Sequence, residues 1–352
     1  MYEFHWPTKT VIGEGSLETI THHLPAPSGN QTLLLTAPRE PWAQPLIDKI
    51  RDLLLDQNWT KVVVFSEVEP NPSWTTVRSG IKLARESGIT ACIALGGGSV
   101  MDAAKVIVDR SGGDFLCTIP TTAGTGGEIS PWAVISNLET REKESLISKW
   151  PDVTLLDPEL TITMPPQTTL LTGIDAFIHG LEAYLSSAAN PITDALSLQG
   201  MELVNQHLMK VIEDGQDLPA RQGMLEGSLL TGAAMLHAGL GLMHAIGNVT
   251  GGLYHDLPHG LILIRCMDAV LDYNQTVSGE KYLKINRLVD EIREIAQEQF
   301  SSLSIPEVTI EPEDLSLLAE RAAKNVNAET NPRTASAEEI AAIVQDAFNL
   351  AA

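Results

Sequence analysis

The chain has little that would tie it to an oxidising compartment, to nucleic acid or to a bilayer. Its 352 residues include three cysteines, Cys92, Cys117 and Cys266. They are too few and too scattered for a disulfide frame or a thiolate zinc site, and they fit a reduced cytosol as core residues. Positive charge is also scarce: 23 Lys and Arg stand against 45 Asp and Glu, for a net charge of −22. A chain so acidic repels phosphate backbones and anionic membrane surfaces, which argues against nucleic acid as a partner. The acidity is spread along the sequence and reads as a solvated surface. No uninterrupted apolar run is long enough to span a bilayer, and the opening stretch MYEFHWPTKTVIGEG has no charged segment followed by an apolar one. These absences predict a soluble, cytoplasmic protein with no membrane partner.

What is present divides into two textures. The length predicts two domains, each with its own core. In the first, apolar runs ending in turn residues, QTLLLTA (31–37), TKVVVFSEV (60–68), ITACIALGGG (89–98) and GGDFLCTIPTT (112–122), alternate with helical stretches such as PSWTTVRSGIKLARESG. That pattern predicts an α/β domain with a parallel sheet and crossover helices. KTVIGEG at the start, paired with WAVISNLETREKESLIS after the fourth run, reads as hairpin material at the sheet edge. From Thr168 onward β-branched runs fade, and Leu, Ala, Glu and Met recur at helical spacing. The second domain is therefore predicted to be all-α. The expected division is 1–160 and 161–352, with Pro165–Pro166 as a hinge.

The common G-x-G-x-x-G fingerprint is missing, but IALGGGSVMDAAKVI sets three glycines and a serine between a strand and the first turn of a helix. Backbone N–H groups there can approach an anion, and the helix N-terminus adds partial positive charge, a geometry suited to a pyrophosphate. A second loop, IPTTAGTGGEIS (119–130), follows the next strand and offers the hydroxyls of Thr121, Thr122 and Thr125. Two such loops at neighbouring strand ends point to a cofactor crevice.

GIDAFIHGLEAYLSS sets Asp175 and His179 on one face of a helix that otherwise reads as buried. Buried carboxylates and imidazoles need partners. A second segment, LMHAIGNVTGGLYHDLPHG (242–260), adds His244, His255 and His259. Taken singly, each histidine reads as hydrogen-bonded core. Together, an Asp and three imidazoles form an N/O set suited to Fe²⁺ or Zn²⁺, with a coordination position left for water or substrate.

At this point the chain resembles the iron-containing (group III) alcohol dehydrogenase family over nearly its whole length. The motifs that carry the likeness are GGGSVMDAAK (96–105), PTTAGTGGE (120–128), PDVTLLDPELT (151–161), GIDAFIHGLEAYLS (173–186), LPHG (257–260) after His244, and NPR (331–333). The resemblance implies an N-terminal dinucleotide-binding domain, a helical catalytic domain, and a frequently dimeric assembly. It implies Asp175, His179, His244 and His259 as metal ligands. It further implies Gly97, Gly98 and Ser99 at the pyrophosphate, Asp102, Thr121, Thr122 and Thr125 lining the cofactor site, and Asn71 and Lys143 near the cofactor.

Two departures matter. Many family members carry a further His four residues after the third ligand, where this chain has Asn248; His255 is the candidate to take over proton transfer. Many NAD-dependent members have an Asp after the second strand, where LLLTAPRE has Ala37, with Arg39 two residues on. A carboxylate there would repel a 2′-phosphate, so its loss favours NADP(H) beside NAD(H). The expected activity is metal-dependent hydride transfer on a small alcohol or aldehyde. The alternatives are a zinc-dependent polyol dehydrogenase and a lyase like 3-dehydroquinate synthase.

Overall fold

Fully buried parallel strands show no polar alternation, because both faces are covered. The run TLLLTAP illustrates this: all seven of its residues are buried. The computed structural model describes residues 2–26, 32–56, 59 and 61–350. Gln31 and Thr60, the first residues of two predicted runs, lie outside them. The chain divides into two compact units, His5–Thr163, and Met164–Ala352 together with Met1–Phe4.

In chain order the first unit runs β1 (Lys9–Ile12), β2 (Thr32–Pro38), α1 (Gln44–Asp56), β3 (Val62–Val68), α2 (Trp74–Ser87), β4 (Ile89–Gly96), α3 (Gly98–Ser111), β5 (Phe115–Pro120), β6 (Trp132–Asn137), β7 (Glu142–Ile147) and β8 (Val153–Leu156). Six strands form one sheet in the order β1-β8-β5-β4-β2-β3, and every pairing in it is parallel. Alternate residues feed two cores. Leu33, Leu35, Ile93 and Leu95 pack on one face with Ile47 and Ile50 of α1, while Leu34, Cys92 and Ala94 face Val77 of α2 and Ala104 of α3 on the other. The chain continues from β2 to β3 on one side and from β4 to β5 on the other, so the neighbours β2 and β4 mark the topological switch point. In open α/β sheets, ligands bind outside the strand carboxyl ends at that point.

The hairpin expectation is corrected. β1 lies at the sheet edge and pairs parallel with β8, Lys9 opposite Val153 through Ile12 opposite Leu156. β6 and β7 form a separate two-stranded antiparallel sheet, and Ser136 of β6 makes one isolated parallel bridge to Ser73. Every residue of β7 is exposed or half-buried, and Leu146 packs on the core beneath α2 and α3.

The second unit holds α4 (Pro166–Leu185), α5 (Pro191–Glu213), α6 (Leu218–Ala238), α7 (Leu242–Leu253), α8 (His259–Ser302), α9 (Leu315–Ala322) and α10 (Ala337–Ala347). It is helical, as expected. α4 packs against α5, α6 and α8, and from Gly173 to Leu185 every residue is buried. The three cysteines are free and buried. Among the described residues no single helix is long and apolar enough to cross a membrane; α6 and α7 reach that composition only as a pair bent by 100°.

Candidate metal centre and nucleotide loops

Asp175 and His179 sit one turn apart on α4, the most enclosed helix of its unit, so both side chains point into the interior. His244 lies in the first turn of α7, and His259 is the first residue of α8. Three helices thus bring four groups to the surroundings of the Asp175 carboxylate. Asp175 Oδ1 lies 3.4 Å from His244 Nε2, 3.6 Å from His179 Nε2 and 4.0 Å from His259 Nε2. The donor atoms of Asp175, His244 and His259 lie within 4.8 Å of one another. His179 stands outside that tightest set, with its ring stacked on His244 at 4.5 Å between centroids.

These residues fit a metal ion. Asp175 Oδ1 and His244 Nε2 are buried, and neither makes a hydrogen bond of proper geometry. Two ligands of one tetrahedral ion, each about 2.1 Å from it, stand roughly 3.4 Å apart, which matches their separation. Burial works against the Asp175 carboxylate, but His179, His244 and His259 outweigh it and hold the group well below the usual carboxylate range. Burial likewise opposes a charged His244, yet its neighbours Asp175 and Glu182 push its pKa up to about 9. The pocket attracts positive charge, and the donor set suits a borderline divalent ion.

Glu182 escaped the sequence reading. It is buried on α4, seven residues after Asp175, and accepts from His244 Nδ1 at 2.7 Å. A single acidic residue at the third position of the 175/179/182 stripe was the available signal. His255 lies in the turn before α8; its ring is 35% exposed and its Nδ1 is 4.0 Å from Asp256.

In the first unit, α3 starts at Gly98 with Gly97 as its N-cap and no side-chain cap, which leaves first-turn N–H groups for a ligand. The loop after β5 packs against this turn. A Cβ on Gly98 would sit 2.7 Å from Thr125 Cγ2, so close approach demands glycine. The structure also joins three dispersed candidates: the Asn71 N–H donates to Ser99 Oγ at 3.1 Å, and Lys143 Nζ donates to Asn71 Oδ1 at 2.9 Å. Asn71 takes a left-handed φ of 54°, which asparagine tolerates. Asp102 faces the hairpin, accepting from the Val134 N–H at 3.1 Å. Thr121 is buried, and its N–H donates to Gly96 O; Thr122 and Thr125 are partly open. Ala37 is fully buried, and Arg39 is exposed against Glu67.

Family models cover both units. Residues 7–158 match iron-containing alcohol dehydrogenase, and residues 169–348 match the C-terminal part of the Fe-containing alcohol dehydrogenase family. The NAD-dependent methanol dehydrogenase of Bacillus methanolicus is 31% identical over 387 residues, spanning 99% of this chain and 100% of that protein. The 1,3-propanediol dehydrogenase of Klebsiella pneumoniae is 31% identical and spans 99% of both. The crystal structure of an iron-containing alcohol dehydrogenase from Thermotoga maritima matches with a TM-score of 0.89 at 26% identity, over 99% of this chain and 100% of that one. Neither the zinc-dependent polyol dehydrogenase nor the synthase-like lyase is favoured by these likenesses. Similarity that runs through the helical unit as well as the α/β one decides the assignment: the chain belongs to the iron-containing alcohol dehydrogenase family and is an oxidoreductase.

Proposed function

We propose that the protein interconverts a small alcohol and its aldehyde, with Fe²⁺ held by Asp175, His179, His244 and His259, and accepts NADP(H) at least as well as NAD(H). The observation that carries this reading is the pair Asp175 Oδ1 and His244 Nε2, buried and 3.4 Å apart. Two such atoms are stable together only with positive charge between or upon them. An ion held by these residues would supply Lewis acidity toward a substrate oxygen, with hydride chemistry supplied by a bound nicotinamide.

The chain's own groups bind and orient. Gly97, Gly98 and Ser99 hold the pyrophosphate at the α3 N-terminus, and Asn71 and Lys143 brace Ser99. Asp102, Thr121, Thr122 and Thr125 line the cofactor site, while Arg39 and the uncharged Ala37 leave room for a 2′-phosphate. His255 carries the proton between substrate and water. A cytoplasmic homodimer completes the reading.

The test is paired. His259→Ala should lower bound metal and abolish turnover while nucleotide binding stays largely intact; full activity in a metal-free variant would sink the reading. His255→Ala should keep its metal and lose about 10²- to 10⁴-fold in turnover with a flattened pH profile. Unchanged rates across the pH range would remove His255 from the proton path.

A further inference from the structure

The helix that carries His244 has no cap of its own. α7 starts after Gly241, which has no side chain to offer its first-turn N–H groups. Two remote residues supply acceptors instead. Asn331 Oδ1 accepts from the Leu242 N–H at 3.2 Å. Glu182 accepts from the Met243 N–H at 2.6 Å through Oε1, and from the His244 N–H at 3.3 Å and the His244 ring at 2.7 Å through Oε2. A Cβ on Gly241 would fall 2.8 Å from both Asn331 Oδ1 and Glu182 Oε1, so a glycine is needed for both to reach in.

Both Glu182 oxygens already accept backbone N–H groups, so Glu182 is the acceptor here and the ring hydrogen facing it sits on Nδ1. In the neutral imidazole, Nε2 is then left with its lone pair, and that is the nitrogen aimed at Asp175. We propose that Glu182 is a positioning residue of the metal centre: it fixes both the tautomer of His244 and the first turn that bears it, so that Nε2 is presented to the ion. The proposal rests on the reading of Asp175, His179, His244 and His259 as the metal set. A helix cap alone would leave the tautomer unspecified, and that difference can be measured.

The experiment is a Co²⁺ titration of chelator-stripped, full-length protein, followed by visible absorption and by competition with a chelator of known affinity. The wild type should take up one Co²⁺ per chain. In Glu182→Gln the amide oxygen can still accept from Met243, but the NH₂ group turns to the imidazole and drives the hydrogen onto Nε2. Co²⁺ affinity should fall about 10- to 100-fold, with a changed absorption band. Asn331→Ala, which removes a cap without touching the ring, should lower the melting temperature yet keep affinity within about twofold and the wild-type spectrum.

Glu182→Gln with wild-type affinity and spectrum overturns the proposal, as does an equal loss of affinity in Asn331→Ala. A wild type that takes up no Co²⁺ overturns the metal reading itself, and this is seen before any variant is made. Should Glu182→Gln not fold, ¹⁵N NMR of the Zn²⁺-loaded wild type reads the tautomer directly. Hydrogen on Nδ1 of His244 is expected; hydrogen on Nε2 overturns the proposal.

Discussion

Arg39 leaves the end of β2 and reaches the end of β3, where its Nη2 donates to the Glu67 carbonyl at 3.2 Å and its Nε lies 3.8 Å from the Glu67 carboxylate. The carboxylate that the sequence lacks after β2 is thus supplied, at some distance, from the neighbouring strand. Ala37 itself is buried in the core, so on the proposed coenzyme site it would act only by presenting no charge. On that proposal Glu67 would compete with a 2′-phosphate for Arg39. Both partners are well exposed, and an exposed pair contributes up to about 1 kcal/mol. Glu67→Gln is therefore expected to raise the ratio of kcat/KM for NADPH over NADH by roughly 2- to 5-fold. Steady-state kinetics with both coenzymes would check this, and an unchanged ratio would place Arg39 outside the coenzyme site.

Between α3 and β6 the link is a buried charge cluster. Lys105, fully buried, donates from Nζ to the Trp132 carbonyl at 2.7 Å and lies 3.6 Å from Asp102 Oδ1. Burial raises the carboxyls of Asp102 and Glu128 and lowers Lys105, each opposed by the others' charge. Removing the cation would strand two carboxylates in the interior. Lys105→Met should cost about 3–5 kcal/mol in urea unfolding, the range for breaking a buried pair. A loss below about 1 kcal/mol would mean that the cluster is solvated in solution.

Elements differed in how clearly the sequence announced them. β2, β3, β4 and β5 were legible because doubly covered strands are continuous apolar runs bounded by turns. β8 was not, since VTLL is four residues long and sits among polar and proline-rich neighbours. The pairing of β1 was missed for a similar reason: four residues with mixed burial do not name their partner. At the candidate site, Asp175 and His179 were legible as a one-turn pair within an apolar helix. Glu182 was not, because its partner His244 lies 62 residues away in sequence, and only the fold brings the two within hydrogen-bond reach.

For the molecule as a whole, the net charge of −22 sets the long-range field met by an anionic coenzyme. On the proposed site the α3 N-terminus and Lys143 would act locally, but diffusion begins in the repulsive field of the surface. Added salt shortens that field, from about 10 Å of reach at 0.1 M to about 3 Å at 1 M. The expected result is that kcat/KM for NADH or NADPH rises about 2- to 5-fold as ionic strength increases from low salt, before specific salt effects intervene. A steady fall instead would mean that the local cationic groups dominate capture.

His259 opens α8, a helix of 44 residues, behind a Pro258 cap that offers no side-chain hydrogen bond. Its ring is 27% exposed, against 3% for His244. Helix ends open far more readily than helix middles. On the proposed ligand set, tightness of binding and speed of exchange would fall to different parts of the protein. Asp175 and His244 are enclosed and braced, whereas His259 is the ligand that unwinding one turn at the start of α8 would detach first. Exchange of the ion would begin at that imidazole, while the rest of the pocket keeps its shape.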